Sequence, residues 1–360
     1  MSMSSEIDAE KQDTQEVWEN ATPLTTRVGT VILGRMDFTS VLLRLIGMEL
    51  YKIRRRLMSK VLGVLMMVLA LLVPLAVGIE LAVMQNAPAS QFAPACQTNS
   101  ESSSAPGCSS LSSIAAGSIK QAAISALSEP LRLPGSLELA TTQGELNPAL
   151  ILVIILVGSM AGGELSVGTV RLMFTRGPWR GHFLLAKYGA ALVCIVLGVL
   201  AMALGGVILG QLFNLASGVH QNLSFITAEW VGHAILYLLA TMLNWFMYAV
   251  VAIFFAFLGR STVAGIAGAL TWFFAEPIIS NILTVAGHFS LGLFGAFMSA
   301  LPNYLMGNNA RALQLNQAQY LFGAAGSSQS NLQALIILAV YLVVFIGLTW
   351  WLNESRDVTN

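Results

Sequence analysis

The chain has 360 residues, of which 56% are hydrophobic and only 10% charged, with 18 Lys and Arg against 18 Asp and Glu. Ordinary soluble domains carry about 25% charged residues, so this composition excludes one, and the mean hydropathy of +0.72 agrees. A net charge of zero gives no basic field of the kind that nucleic acid selects, and no nucleic-acid partner is expected.

In chain order, residues 1–38 come first as an acidic, polar tail in which Glu6, Asp8, Glu10, Asp13, Glu16 and Glu19 face a single early cation, Lys11. Such a composition reads as disordered and solvated. It lacks the basic start and apolar centre of a secretory signal, so the first span is expected to stay as an uncleaved anchor. Residues 39–58 then predict an amphipathic helix. Leu42, Leu43, Ile46, Leu50, Ile53 and Leu57 share one stripe, and Arg44, Lys52, Arg55 and Arg56 lie off it. A helix of this kind rests in the membrane interface, with its basic side toward anionic lipid headgroups. It serves either as a simple anchor or as a mechanical element.

Six apolar stretches follow at 61–84, 147–163, 184–213, 231–258, 262–285 and 333–352. Each approaches the roughly 20 residues that a spanning helix needs. The expected fold is therefore an all-α polytopic membrane protein, with six transmembrane helices over 61–352 preceded by the interfacial helix. Outer loops fall at 85–146 and 286–331, and a short cytoplasmic tail at 353–360. Residues 114–128 and the stretch from His288 to Leu305 are expected to form short helices within those loops. With the N-terminus inside, only Lys120, Arg132 and Arg311 of the 18 basic residues lie outside. Short loops rich in Lys and Arg stay in the cytoplasm, which predicts an N-in/C-in, multi-pass protein of the plasma membrane. Arg260 marks a tight turn between the fourth and fifth spans.

The chemistry-bearing motifs of common enzymes are missing. No G-x-x-x-x-G-K-[ST], H-E-x-x-H or C-x-x-C occurs, and His182, His220, His233 and His288 are scattered. No catalytic residue, metal or cofactor is expected on this chain. Cys96 and Cys108 share the first outer loop, where a disulfide is stable; they are either bonded or free thiols. Cys194, mid-span, reads as a packing residue. Glycines four apart, Gly158/Gly162 and Gly206/Gly210, permit close helix approach, but in a chain with 32 glycines they carry little weight. Two polar residues within the spans are candidates for a substrate path. Glu276, followed by Pro277, is a functional candidate if it lies at membrane depth, and an inexpensive surface group if it lies at the outer interface. Asn244 is either an interhelical hydrogen bond or a substrate ligand.

The segment 164–187 is short, basic and flanked by two apolar runs. It begins Glu164-Leu165-Ser166-Val167-Gly168-Thr169-Val170-Arg171 and continues through Arg176-Gly177-Pro178-Trp179-Arg180 to Leu185-Ala186-Lys187. Glu164 reads as a cap or a pairing partner at its start, Arg171 follows two turns on, and Gly177-Pro178 stops the helix. Glu164 and Arg171 are expected on a solvent-facing surface. The minimal reading is an ordinary cytoplasmic basic loop.

This segment resembles the cytoplasmic loop of ABC-2 type exporter permeases, through Glu164, Gly168, Thr169, Arg171, Pro178, Arg180 and Lys187. The layout of a basic interfacial helix, six spans, a large first outer loop and a helical outer segment before the last span is similar to that family over about residues 40–352. Thr175-Arg176-Gly177 departs from the pattern by being more basic. The resemblance implies a permease subunit that couples ATP hydrolysis by a separate ABC ATPase subunit to export. It also implies a second permease subunit, as homo- or heterodimer, with ATP and Mg held by the ATPase. On this reading Glu164, Gly168, Thr169, Arg171, Arg176, Pro178 and Arg180 form the ATPase contact, and the chain itself is not an enzyme. The alternative is an ATP-independent membrane transporter or an intramembrane enzyme. That alternative calls for several charges inside the membrane, where the sequence offers Glu276 and, marginally, Glu80.

Overall fold

The computed structural model describes residues 38–88, 91, 106–142, 147–167, 180–216, 225–290, 292–323 and 325–355. The chain divides into two units, Met1–Arg44 and Leu45–Asn360. Of the first, only Phe38–Arg44 is described, as the opening turns of helix α1 (Phe38–Arg55). The rest of the expected acidic tail, and residues 356–360 at the other end, lie outside the described residues.

The second unit is built from α1 onward by α2 (Leu57–Asn86), α3 (Pro106–Ser128), α4 (Gly135–Thr142), α5 (Pro148–Val167) and α6 (Arg180–Ala216). It continues with α7 (Ala228–Gly259), α8 (Thr262–Phe289), α9 (Gly292–Ala300), α10 (Met306–Phe322) and α11 (Asn331–Ser355). Single 3-10 turns at Glu129–Leu131 and Leu301–Tyr304 join α3 to α4 and α9 to α10. Among the described residues all regular structure is helical. Among the described residues six helices, α2, α5, α6, α7, α8 and α11, are long and apolar enough to cross a membrane. A helix meets that requirement because its backbone hydrogen bonds close within the segment.

Local chemistry sets the boundaries. Arg56 leaves the helical region (φ −71°, ψ 127°), so α1 and the first span are separated by one residue, earlier than the sequence pattern indicated. The Asn147 side chain accepts from the Leu150 N–H at 3.2 Å and caps α5, with Pro148 in the first turn, where its missing N–H costs nothing. Thr227 caps α7 by accepting from Trp230 N–H. Arg260 takes a left-handed conformation (φ 48°) and Ser261 caps α8 through the Ala264 N–H. The fourth and fifth spans therefore reverse within two residues.

Packing centres on α5. In its most apolar window 61% of residues are buried, against 22% for α2, α8 and α11. It packs on α7 and α8, and α7 in turn carries α10 and α11. Small residues make this possible. A Cβ on Gly162 would stand 2.5 Å from the Thr262 backbone, and one on Gly158 3.0 Å from Ile266 N. Gly206 and Gly210 let α4 lie against α6, where Ser136 would meet any side chain. The spacings that carried little weight in the sequence are thus the points of closest helix approach. Leu150, Ile154, Ile195, Met202, Trp245 and Ile253 fill the core around them.

The two long connections are more ordered than their sequences suggested. The helix expected at 114–128 is α3 and begins at Pro106. The short helices expected between His288 and Leu305 are α9 and a 3-10 turn. Helix α10 lies in the outer segment before the last span that the resemblance expected to be helical, though the residues themselves gave no bounds for it. It is polar, yet nine of its 17 residues are buried.

Candidate functional site

Two polar groups stand out, at opposite ends of α5. The first surrounds Glu164, in the last turn of that helix. Its side chain is 7% exposed rather than solvent-facing, which corrects the sequence expectation. One oxygen, Oε1, accepts from Lys52 Nζ of α1 at 2.7 Å, and the other, Oε2, from Lys187 Nζ of α6 at 2.9 Å. Lys52 also bonds Glu49 Oε1 at 3.0 Å, and Lys187 lies 3.7 Å from Glu49 Oε2. Two carboxylates and two ammonium groups therefore alternate in a closed ring. The Lys187 side chain is fully buried, donates to the Met160 carbonyl at 3.4 Å and lies 4.6 Å over the Phe183 ring.

The reason for the correction is physical. Lys187 lies two turns inside α6, and a buried ammonium is tolerated only when paired. Glu164 supplies that pairing and is drawn in with it. The same demand widens the covered face of α1. Leu50 and Ile53 of the apolar stripe read from the sequence pack on the core, and beside them Leu45 and Glu49 are buried and Lys52 is two-thirds covered, whereas Leu57 falls beyond the Arg56 break, in α2. Burial alone would lower the Lys52 pKa. The hydrogen bond to Glu164 and the charge of Glu49 outweigh it and hold the ammonium above the ordinary lysine value. Beside the ring, Arg56 reaches the Ser159 carbonyl at 3.5 Å.

The remaining predicted contact residues Gly168, Thr169, Arg171, Arg176 and Pro178 lie outside the described residues, as does the side chain of Arg180, whose backbone opens α6. Cys96 also lies outside them. Cys108 falls within α3 but its side chain does not belong to the described part. Cys194 is a free, half-buried thiol on α6.

The second group is a cavity of about 280 Å³ between the start of α5 and helices α7, α8 and α10. Its walls mix rings and apolar groups (Leu150, Tyr237, Tyr248, Phe273) with amides (Asn147, Asn244, Asn308, Gln314). The amides are held in a lattice. Asn244 Nδ2 donates to Gln314 Oε1 at 3.2 Å, and Gln314 Nε2 to Thr241 Oγ1 at 3.0 Å. The hydroxyls of Tyr237 and Thr141 meet at 2.9 Å, and Asn308 Nδ2 donates to Ser280 Oγ at 2.8 Å. Asn244 is thus an interhelical hydrogen bond and a cavity wall at once.

Glu276 belongs to the same region. It is 4% exposed, so it is a buried group and not an exposed interfacial one. Its Oε1 accepts from the Gly307 N–H at the start of α10, and the Tyr248 hydroxyl and the Trp272 indole N–H lie beside its carboxyl. At the cavity wall on α4, burial raises the Glu138 carboxyl above its ordinary value.

Sequence reasoning missed Glu49, Thr241, Tyr248 and Gln314. A signal existed: Tyr237, Thr241, Asn244 and Tyr248 recur at spacings of four, three and four along an otherwise apolar span, which places them on one helix face.

A family model described as a protein of unknown function (DUF2705) matches residues 138–359. The chain belongs to the DUF2705 family. No curated protein and no solved structure matches it. The DUF2705 match takes in Glu164, Lys187, Glu276 and every residue of the cavity wall named above, and it begins beyond Glu49 and Lys52. The ring therefore joins two charges within the matched region to two charges on a helix that precedes it.

Proposed function

We propose that the chain is the membrane-spanning permease subunit of an ATP-driven exporter of ABC-2 type. It works in the plasma membrane with both termini in the cytoplasm, beside a separate ABC ATPase subunit and a second permease subunit. The observation that carries this reading is the position of Glu164. The first residue of the ABC-2-like segment is ion-paired to α1 through Lys52 and to α6 through Lys187. The segment 168–179 joins α5 to α6 directly, so a load applied there by an ATPase reaches three helices through the ring. The covered, paired charges make that junction stiff, which is what a rigid-body push requires.

Two further features suit the reading. The far side of α1 exposes Met48 and Tyr51 beside Arg54 and Arg55, with Arg55 Nε donating to the Tyr51 hydroxyl. An apolar and basic face of this kind suits an interfacial helix on anionic lipid. Along α2 and α11, Val64, Leu75 and Val343 are exposed, as lipid-facing residues are.

The deciding experiment is affinity purification of the full chain from its own membranes in mild detergent, with identification of retained ATP-binding proteins. An ATPase subunit is expected to co-purify, and Arg171→Ala with Arg180→Ala to release it and abolish transport together. Transport that persists without ATP and without any retained ATPase would replace this reading with an ATP-independent transporter.

A further inference from the structure

We propose that the cavity between α5, α7, α8 and α10 binds an uncharged molecule that donates hydrogen bonds, through an O–H or an amide N–H, to Asn244 Oδ1 and Asn308 Oδ1. The location is that of Asn244, a candidate for a substrate path, and the inference does not depend on the ATP-driven reading.

The direction of the polar lattice carries the argument. Its two parts are anchored on backbone carbonyls, which only accept. The Thr241 hydroxyl donates to the Tyr237 carbonyl at 2.9 Å, so its oxygen is left to receive Gln314 Nε2 at 3.0 Å. Gln314 therefore turns Oε1 toward Asn244, whose Nδ2 donates to it at 3.2 Å. Turning either amide over alone would set two acceptors face to face. Asn308 is fixed in the same way, with Nδ2 donating to the Pro302 carbonyl at 2.9 Å and to Ser280 Oγ at 2.8 Å. Each part thus ends on an amide oxygen, Asn244 Oδ1 in one and Asn308 Oδ1 in the other, that no donor meets among the described residues. Both side chains line the cavity and are only half-buried, so these oxygens are open to a guest rather than sealed in the core.

Two fixed acceptors select a donor. A guest with O–H or N–H groups meets them. An aprotic guest of the same size displaces water from both and leaves them unpaired, which carries the larger penalty. A site built on such bonds rejects an analogue that lacks the donor. The charges of the wall favour an ion of neither sign, since Glu138 and Arg311 are one of each. Tyr237, Tyr248 and Phe273 supply ring faces, and Leu150, Leu315 and Ala318 aliphatic surface, for the carbon frame of the guest. A volume of about 280 Å³ is at the small end of ligand pockets, so it takes a small alcohol or amide, or the end group of a larger one.

The test follows the Tm of the full chain purified in detergent against pairs of isomers that differ in donors. Butyramide is paired with its aprotic isomer N,N-dimethylacetamide, and butanediol with its aprotic isomer dimethoxyethane. At least one protic probe is expected to raise the Tm saturably, at a midpoint concentration about tenfold or more below that of its isomer, because two hydrogen bonds worth several-fold each are made or lost. The pair with the larger ratio assigns the guest to amides or to alcohols. Butylammonium chloride and sodium butyrate, at equal ionic strength, are expected to bind more weakly than that protic probe. Asn244→Leu removes one acceptor and is expected to shrink the ratio. Thr241→Val changes no residue of the cavity wall but frees Gln314 and Asn244 to turn over, and it is expected to shrink the ratio too. If a variant does not fold, the isomer pairs on the unaltered chain decide. Equal midpoints within both pairs, no saturable shift from any probe, tighter binding of either ion, or an undiminished ratio in either folded variant would overturn the site. No ATPase takes part in these measurements, so their failure sinks the donor-selective site and leaves the exporter reading to its own test.

Discussion

The Glu164 end and the Glu276 end of the bundle handle buried charge in opposite ways. At the first, each of Glu49, Lys52, Glu164 and Lys187 has two counter-charges, and the four close on one another. At the second, a carboxyl is held by the Gly307 N–H beside the Tyr248 hydroxyl and the Trp272 indole N–H, with no basic side chain among them, and a cavity lies nearby. A completed ion ring fixes the relative placement of the helices that contribute to it. One end of the bundle therefore holds its buried carboxylates by charge, and the other holds its buried carboxyl by neutral donors.

The sharpest way to break this contrast is to open the ring. Lys187→Met leaves two buried carboxylates with Lys52 alone, and an uncompensated buried charge costs about 3–5 kcal/mol. The variant should show that loss in thermal or denaturant unfolding in detergent. Adding Glu164→Gln should restore part of it, with a coupling on the order of 0.5–3 kcal/mol. A Lys187→Met protein that melts like the unaltered chain would return Glu164 to the solvent-facing surface that the sequence suggested.

A second measurement asks whether the ring end is as closely packed as it is closely paired. Gly162→Ala forces a Cβ against the Thr262 backbone, and overpacking of this kind costs about 1–3 kcal/mol. Gly205 has nothing within 4 Å, so Gly205→Ala should be neutral or raise stability by up to about 1 kcal/mol through helix propensity. Similar melting temperatures for the two variants would show that α5 and α8 separate freely.

The cavity end should tolerate more. Gln314→Ala removes hydrogen bonds to Thr241 and Asn244 and leaves those groups facing the cavity. A loss of about 1 kcal/mol is expected, the ordinary net value of a hydrogen bond. A loss as large as that of Lys187→Met would mean that the lattice, and not the ring, holds the bundle.

The smallest effect is a pH dependence. The Lys52 pKa is raised on folding above 10.5, so its contribution to stability is complete below that value and is lost as pH rises through the folded pKa. A third of its side chain is exposed, which screens the interaction. The stability difference between the unaltered chain and Lys52→Gln should narrow at strongly alkaline pH and stay constant at lower pH. A gap that narrows on acidification instead would assign the dependence to a carboxylate.

Much of this architecture was legible before any coordinates. The six apolar runs named all six candidate spans, because a helix long enough to cross a bilayer needs an uninterrupted apolar stretch and announces itself by composition. Asn147-Pro148 marked the start of α5 and Arg260 the turn between α7 and α8, because caps and reversals are short-range events. Less of the polar chemistry was legible. Glu164 and Lys187 were marked by a resemblance, but not as partners. Glu49 drew no notice, and Lys52 was placed off the apolar stripe without its partner Glu164. Helix α10 was expected only from the resemblance, as an unplaced outer helix, because its Asn and Gln residues interrupt any apolar periodicity.

The sequence by itself determined which segments leave water, since that depends on summed transfer free energy along a single helix. The tertiary structure alone decided which polar groups left with them. Lys187 is buried because Glu164 lies 2.9 Å away, and α1 shows Glu49 to the core because Lys52 and Lys187 are there to meet it. Helix α10 is buried, although polar, because α7 presents Thr241 and Asn244 at matching heights. The burial of a polar group is set by its partner, and apart from Glu49 and Lys52, on neighbouring turns of α1, these partners lie on different helices.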